Sequence, residues 1–131
     1  RQGSDVLILA VGPQVYDALN AADILIHDGI SCEVVNCRFI KPMDNAYLKS
    51  IIGRFKQVVT VEEGVRSGGF GESVAAWLST NGYNDSINIM SLPDKFVEHG
   101  SRVELINQCS LNQEGIVNIV KTKNIPLDIE I

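Results

Sequence analysis

From Asp5 the chain runs apolar to Val11 and stops at Gly12-Pro13, the pattern of a strand buried on both faces that turns into a helix. Val15, Ala18, Leu19, Ala22, Leu25 and Ile26 then recur at helical spacing, predicting a helix from Gln14 to about Asp28 with one buried stripe and Gly29 as its stop. Ser31 to Asn36 is a short β-rich run. Arg38-Phe-Ile-Lys-Pro42 connects it to a second helix opened by Asp44, with Leu48, Ile51, Ile52 and Phe55 inward. Gln57 to Val61 reads as a third strand, Glu62 to Gly69 as a polar loop, and Phe70 to Thr80 as a third helix burying Val74, Trp77 and Leu78. Ile87 to Ser91 is a fourth strand, followed by a loop from Leu92-Pro93-Asp94 to Gly100. Ser101-Arg-Val-Glu104 is a capping box for a helix that buries Leu105, Ile106 and Cys109. Asn112 caps the last helix, stapled by Leu111 and Ile116 and buried along Ile116, Ile119 and Val120.

Apolar strands alternating with helices predict an α/β domain in three layers, α/β/α, around a mainly parallel four-stranded sheet with right-handed crossovers. The domain is expected to span residues 1–122, with 123–131 as a tail. Ligands of such sheets sit beyond the carboxyl ends of the strands. This directs attention to Gly12, to Arg38–Pro42, to Glu62–Gly69 and to Leu92–Gly100.

Composition narrows the field. The 131 residues carry 11 Lys and Arg against 16 Asp and Glu, a net charge of −5, which argues against a nucleic-acid or anionic-lipid surface. No run approaches the roughly 18 apolar residues that span a bilayer, and residues 1–15 lack a signal-peptide pattern. Cys32, Cys37 and Cys109 are an odd set, so at least one stays free, and they are expected as buried structural cysteines of a reducing compartment. Cys32 and Cys37, five apart on a strand, face opposite ways and do not form a metal pair.

Few residues suggest chemistry. Glu62-Glu-Gly-Val-Arg-Ser-Gly-Gly-Phe-Gly71 joins a strand to a helix, where backbone N–H groups could cradle an anion. It is neither of the two glycine-rich phosphate motifs, and its two carboxylates would repel phosphate. Glu62 and Glu63 diverge as strand neighbours, a poor acid/base pair, and one is free to point toward a partner domain. His99, on a loop beyond a strand end, is either a proton carrier or a hydrogen-bonding neighbour. His27 reads as a surface residue favourable to the first helix's dipole. Arg38, at a strand end, is placed either to clamp a carboxylate of a neighbouring segment or to bind substrate, and Arg66 is the one basic residue of the glycine loop. These residues assemble no nucleophile, base and oxyanion set.

Three blocks carry a resemblance: Val35-Asn-Cys-Arg-Phe-Ile-Lys-Pro-Met-Asp44; Val59-Thr-Val-Glu-Glu-Gly64 with Gly68-Gly-Phe-Gly71; and Leu92-Pro-Asp-Lys-Phe-Val-Glu-His-Gly100. In order and spacing they resemble the C-terminal domain of the 1-deoxy-D-xylulose-5-phosphate synthase family, from about Gly3 to Lys121. Transketolases and 2-oxo acid dehydrogenase beta subunits share this transketolase C-terminal-like fold and are the alternatives, beside an autonomous anion-binding module. The resemblance implies that the intact enzyme joins pyruvate, with loss of carbon dioxide, to glyceraldehyde 3-phosphate. Thiamine diphosphate and magnesium would supply the carbanion chemistry, and the product would feed isoprenoid and cofactor synthesis.

It also implies that the cofactor motif and the thiazolium-activating glutamate lie in upstream domains. Gly-Asp-Gly with a following Asn-Asn pair is absent from residues 1–131. The chain, beginning at Arg1-Gln-Gly, is thus expected to be a fragment that binds no cofactor or metal and is inactive alone. Its expected partners are the upstream domains and a second subunit of a homodimer, with no nucleic acid and no membrane. Its expected location is a bacterial cytoplasm, or else a plastid-type organelle. Arg38, Glu62, Glu63, Arg66, Phe70, Asp94 and His99 are the residues expected at a domain interface or active-site wall. The family's antiparallel edge strand would fall largely before Arg1, so the strand at Ser31–Asn36 is expected as an exposed edge.

Overall fold

In a computed structural model, which describes residues 1–37, 45–92 and 102–123, the strands are β1 (Val6–Ala10), β2 (Cys32–Asn36), β3 (Gln57–Val65) and β4 (Ser86–Leu92). They form one all-parallel sheet in the order β2-β1-β3-β4. Among the described residues five helices accompany them: α1 (Gln14–His27), α2 (Asn45–Ile51, continued by a 3-10 turn to Arg54), α3 (Phe70–Thr80), α4 (Arg102–Gln108) and α5 (Gln113–Lys123).

The period-two alternation of a strand splits the core into two layers. Val6, Ile8 and Ala10 of β1 face α1 and α5 with Val59, Val61, Ala18, Leu25, Ile116 and Val120. Leu7 and Leu9 face α2 and α3 with Leu48, Ile51, Phe55, Phe70, Val74 and Leu78. Both faces of the central strands are covered, which is why they read as continuous apolar runs. The crossover to β2 uses one face and the crossovers back to β3 and on to β4 use the other, as right-handed connections require.

Helix ends follow local chemistry. After α1, Gly29 at φ +81° lets its N–H reach Ile26 O while Ile30 N–H reaches Leu25 O; Gly82 at φ +82° does the same after α3 with Ser79 and Leu78. Asn112 Oδ1 accepts from Gly115 N at the start of α5, and Leu111 and Ile116 are buried as the staple predicts. The caps assigned to Asp44 and Ser101 lie outside the described residues.

Three expectations are corrected. Ile26 is 45% exposed, because α1 turns the smaller Ala18, Ala21 and Ala22 toward the sheet and leaves Ile26 beside the stripe. The segment from Glu62 is not all loop. β3 continues to Val65, opposite Leu92 of β4, with four residue steps from Val61 to Val65 against two from Met90 to Leu92, a bulge that lets the pair extend past the end of β1.

The edge strand β2 is also not bare. Val34 N donates to Arg1 O at 3.0 Å and the Arg1 ammonium donates to Val34 O, the reciprocal pairing of antiparallel chains. Gly3 lies so close that a Cβ there would stand 2.2 Å from the Cys32 carbonyl carbon. Glu33, buried at the second position of β2, accepts from Gly3 N and Tyr47 Oη, each at 3.1 Å, and pairs with Arg54 at 3.5 Å. A buried carboxylate with this many partners holds residues 1–4 onto the edge.

All three cysteines are free. Cys32 and Cys37 fall in opposite core layers, and burial raises each thiol to about 11. Burial likewise raises Tyr83 to about 12. Unfolded thiols ionise first, so the unfolded state binds fewer protons than the native one between about pH 9 and 11, and stability falls as pH rises through that window. Urea unfolding at pH 8 and pH 10 should show a lower midpoint at pH 10, with much of the difference removed in a Cys32→Ala/Cys37→Ala chain. A pH-independent midpoint contradicts this reading.

Candidate functional site

The order β2-β1-β3-β4 reverses direction between β1 and β3, and it is there that helices leave the sheet toward opposite faces. Parallel sheets open a crevice at such a point. One wall is the overhang of β3, Glu62–Val65, and the floor is the turn after β1, where Gly12 takes φ +68°.

The two carboxylates at this wall part as strand neighbours must. Glu62, 5% exposed, turns to the α3 face, where its Oε1 accepts from Phe70 N at 3.1 Å and its Oε2 from Gly71 N at 2.6 Å. The helix-capping position is Gly69, which has no side chain to satisfy these donors. Glu62 supplies the missing cap from the neighbouring strand, with its negative charge at the positive end of the helix. Glu72 reaches back to accept from Gly68 N at 2.9 Å. The anion that a glycine-rich helix start attracts is here part of the chain.

Glu63 turns to the other face, where Gln14 Nε2 approaches its Oε1 at a long 3.5 Å. Gln14 is the first residue of α1 and 1% exposed, and its Oε1 is buried with no hydrogen-bond partner. Thus each helix that starts at the crevice meets one carboxylate of the Glu62-Glu63 pair, directly for α3 and through Gln14 for α1.

The other expected site residues divide. Phe70 is 1% exposed, with its ring spent on the core beneath α3. Arg66 is exposed on the rim, where its N–H donates to Leu92 O and its own carbonyl accepts from Gly69 N. Arg38, Asp94 and His99 lie outside the described residues. Gln14 and Glu33 were missed by residue-type reasoning. Their signals were a polar side chain directly after Gly12-Pro13 at a strand end, and an acidic residue inside a β-rich run. Among the described residues, no group of three or more His, Cys, Asp or Glu side chains could hold a metal ion, and no helix is long and apolar enough to cross a membrane.

Residues 1–116 match the family model described as transketolase, C-terminal domain. The chain belongs to the transketolase C-terminal domain family. Within it, the chain is 42% identical to the 1-deoxy-D-xylulose-5-phosphate synthase of Geobacillus thermodenitrificans (strain NG80-2) and 44% identical to that of Geobacillus sp. (strain WCH70), over 123 residues in each case. These alignments cover 93% of this chain but 20% of each synthase, so the chain spans about one fifth of the length of the curated relatives it matches, in their C-terminal region. A solved split gene transketolase, an inactive beta4 tetramer, superposes with a TM-score of 0.85 at 32% identity, covering 94% of this chain and 40% of that one. The transketolase of Campylobacter jejuni subsp. jejuni, at a TM-score of 0.63 and 18% identity over 94% of this chain and 17% of that one, shares the fold. The synthase relatives favour that branch of the transketolase C-terminal family over the dehydrogenase beta subunits.

Proposed function

We propose that this chain is the C-terminal domain of a 1-deoxy-D-xylulose-5-phosphate synthase, a thiamine-diphosphate-dependent transferase that condenses pyruvate with glyceraldehyde 3-phosphate. Within that enzyme its strand-end rim serves as a wall against the upstream domains and a second subunit. The observation that carries the architectural part is the Glu62 carboxylate seated on Phe70 N and Gly71 N. It occupies the helix start at which a diphosphate or nucleotide would otherwise bind. With Glu63 beside α1, the second helix start is also unfavourable to an anion.

The residues of this chain therefore do not fit the diphosphate of thiamine diphosphate, and cofactor and magnesium are assigned to the upstream domains. What the chain's own residues do is bind and orient. Glu62 locks α3 to β3, and the bulge carries Glu63, Gly64 and Val65 past the end of β1, where Val65 is 48% exposed. Arg38, Asp94 and His99 belong to the same strand-end loops in sequence and are proposed to share this surface.

In the full-length enzyme, Glu63→Ala and His99→Ala should each weaken subunit association or lower product formation from pyruvate and glyceraldehyde 3-phosphate. Sedimentation and a product assay would read this, and wild-type behaviour in both overturns the proposed wall. Calorimetric titration of the 131-residue chain with thiamine diphosphate and magnesium should be silent. Saturable binding would restore the autonomous anion-binding module.

A further inference from the structure

Gln14 opens α1 directly after the exposed Gly12-Pro13 turn, in the crevice between β1 and β3, and is itself 1% exposed. Its Nε2 makes one long contact, 3.5 Å to Glu63 Oε1, and its Oε1 is buried with no hydrogen-bond partner. A buried acceptor without a donor is costly, and an apolar side chain of similar length would remove the cost. Thr60 Oγ1 is also buried without a partner, but it lies in the packed layer beneath α3, 2.7 Å from where a Cβ on Gly71 would stand. No outside group reaches Thr60. Gln14 borders the rim, and the rim has the character of a contact surface. The two most exposed large apolar side chains among the described residues are Tyr16 of the first turn of α1, at 73%, and Val65 at the end of the β3 overhang, at 48%. Exposed aromatic and aliphatic groups beside a shielded polar position are typical of protein interfaces.

Resting on the reading of this rim as a wall against the rest of the enzyme, we propose that Gln14 Oε1 and Glu63 together receive a cationic side chain, an arginine or lysine, from an upstream domain or the second subunit. Gln14 Oε1 lacks a donor, and the charge beside it is the Glu63 carboxylate. An anion would face Glu63, and an apolar group would leave Gln14 Oε1 unmatched. A guanidinium presents parallel N–H groups that serve an amide oxygen and a carboxylate at once. The start of α1 carries about half a positive charge against the full negative charge of the carboxylate, so the helix dipole does not exclude a cation. Docking turns the Gln14 amide toward the arriving group, a side-chain adjustment common at interfaces, and gives up only the long contact to Glu63.

Three substitutions separate an acceptor from a donor at this position. Gln14→Met removes both functions, Gln14→Glu keeps acceptors only, and Gln14→Lys keeps donors only. In the 131-residue chain, Gln14→Met should leave the melting temperature unchanged or raise it. In the full-length enzyme it should weaken subunit association by about tenfold or more in sedimentation. A cation supplied by an upstream domain of the same chain would instead appear as a lower melting temperature of the full-length enzyme with association unchanged. In either case Gln14→Glu should come closer to wild type than Gln14→Met, and Gln14→Lys should fall below both. The reverse order, with Gln14→Lys best, makes Gln14 an internal donor to Glu63 and overturns the proposal, as does a Gln14→Met chain that melts lower on its own. If Glu63→Ala and His99→Ala weaken the enzyme while Gln14→Met does not, the wall stands and the assignment of Gln14 falls. Wild-type behaviour of all three removes the wall itself.

Discussion

Replacing Glu62 with Ala is expected to destabilise the domain by about 3–5 kcal/mol. The substitution leaves Phe70 N and Gly71 N, both buried, without acceptors, and an unsatisfied buried donor costs about 1–3 kcal/mol. Losing a carboxylate from a helix start adds to this, because the cap and the dipole interaction go together. For a domain of this size the total is a large share of a stability of roughly 5–15 kcal/mol. Denaturant unfolding measures it directly, and the melting temperature should fall by roughly 10 °C or more. Glu62→Gln keeps the shape and one acceptor oxygen but turns its amide N–H₂ toward a donor, and should fall between wild type and Glu62→Ala. If Glu62→Ala costs less than about 1 kcal/mol, within the usual effect of a surface substitution or slightly above it, the bracket assigned to Glu62 is wrong.

The second large effect is expected at Gly69, for a steric reason. A Cβ built there would stand 2.4 Å from the Val65 carbonyl oxygen and 2.8 Å from Glu62 Oε1. The first contact is with backbone of the β3 overhang, and the second is with the oxygen that caps α3, which cannot move away without giving up its bond from Phe70 N. Gly69→Ala should cost about 1–3 kcal/mol or more, as overpacking does, and should couple to Glu62→Ala in a double-mutant cycle because the sites share that oxygen. Gly53→Ala is the control. No atom lies within 4 Å of its Cβ position, and removing a glycine from such a site leaves stability unchanged or raises it slightly. Equal effects at Gly69 and Gly53 would refute the close approach.

Both effects fall on the rim proposed to face the upstream domains, so their consequences in the full-length enzyme are connected. A loosened α3 start lets the Glu63–Val65 overhang shift. Glu62→Gln should then reduce subunit association more than it reduces the thermal stability of the isolated chain. A variant whose association tracks stability alone would point to a purely internal role.

Element types, their order and most of their buried faces are legible in the amino-acid sequence. Local chemistry carries that information: continuous apolar runs for strands covered on both sides, helical stripes such as Leu48, Ile51, Ile52 and Phe55, Gly29 at positive φ after α1, and the staple of Leu111 with Ile116. The alternation of strands and helices also implied the parallel sheet, since crossover handedness leaves few arrangements. Even the divergence of Glu62 and Glu63 was legible, because it follows from the period of a strand.

Where each diverging group ends depends on the three-dimensional fold. Glu62 reaches a helix start eight residues onward, because the turn at Arg66–Gly69, after the overhang of β3, brings the chain back over its own strand. No pattern in Glu62–Gly71 reports that the anion for this helix is internal. The partners of Glu33, drawn from Gly3, Tyr47 and Arg54, are likewise scattered in sequence. So are the cover of β2 by residues 1–4 and the burial of Gln14 at the crevice. Each depends on which segments the sheet order brings together, and hydrogen bonds between such segments leave no periodic trace in the chain.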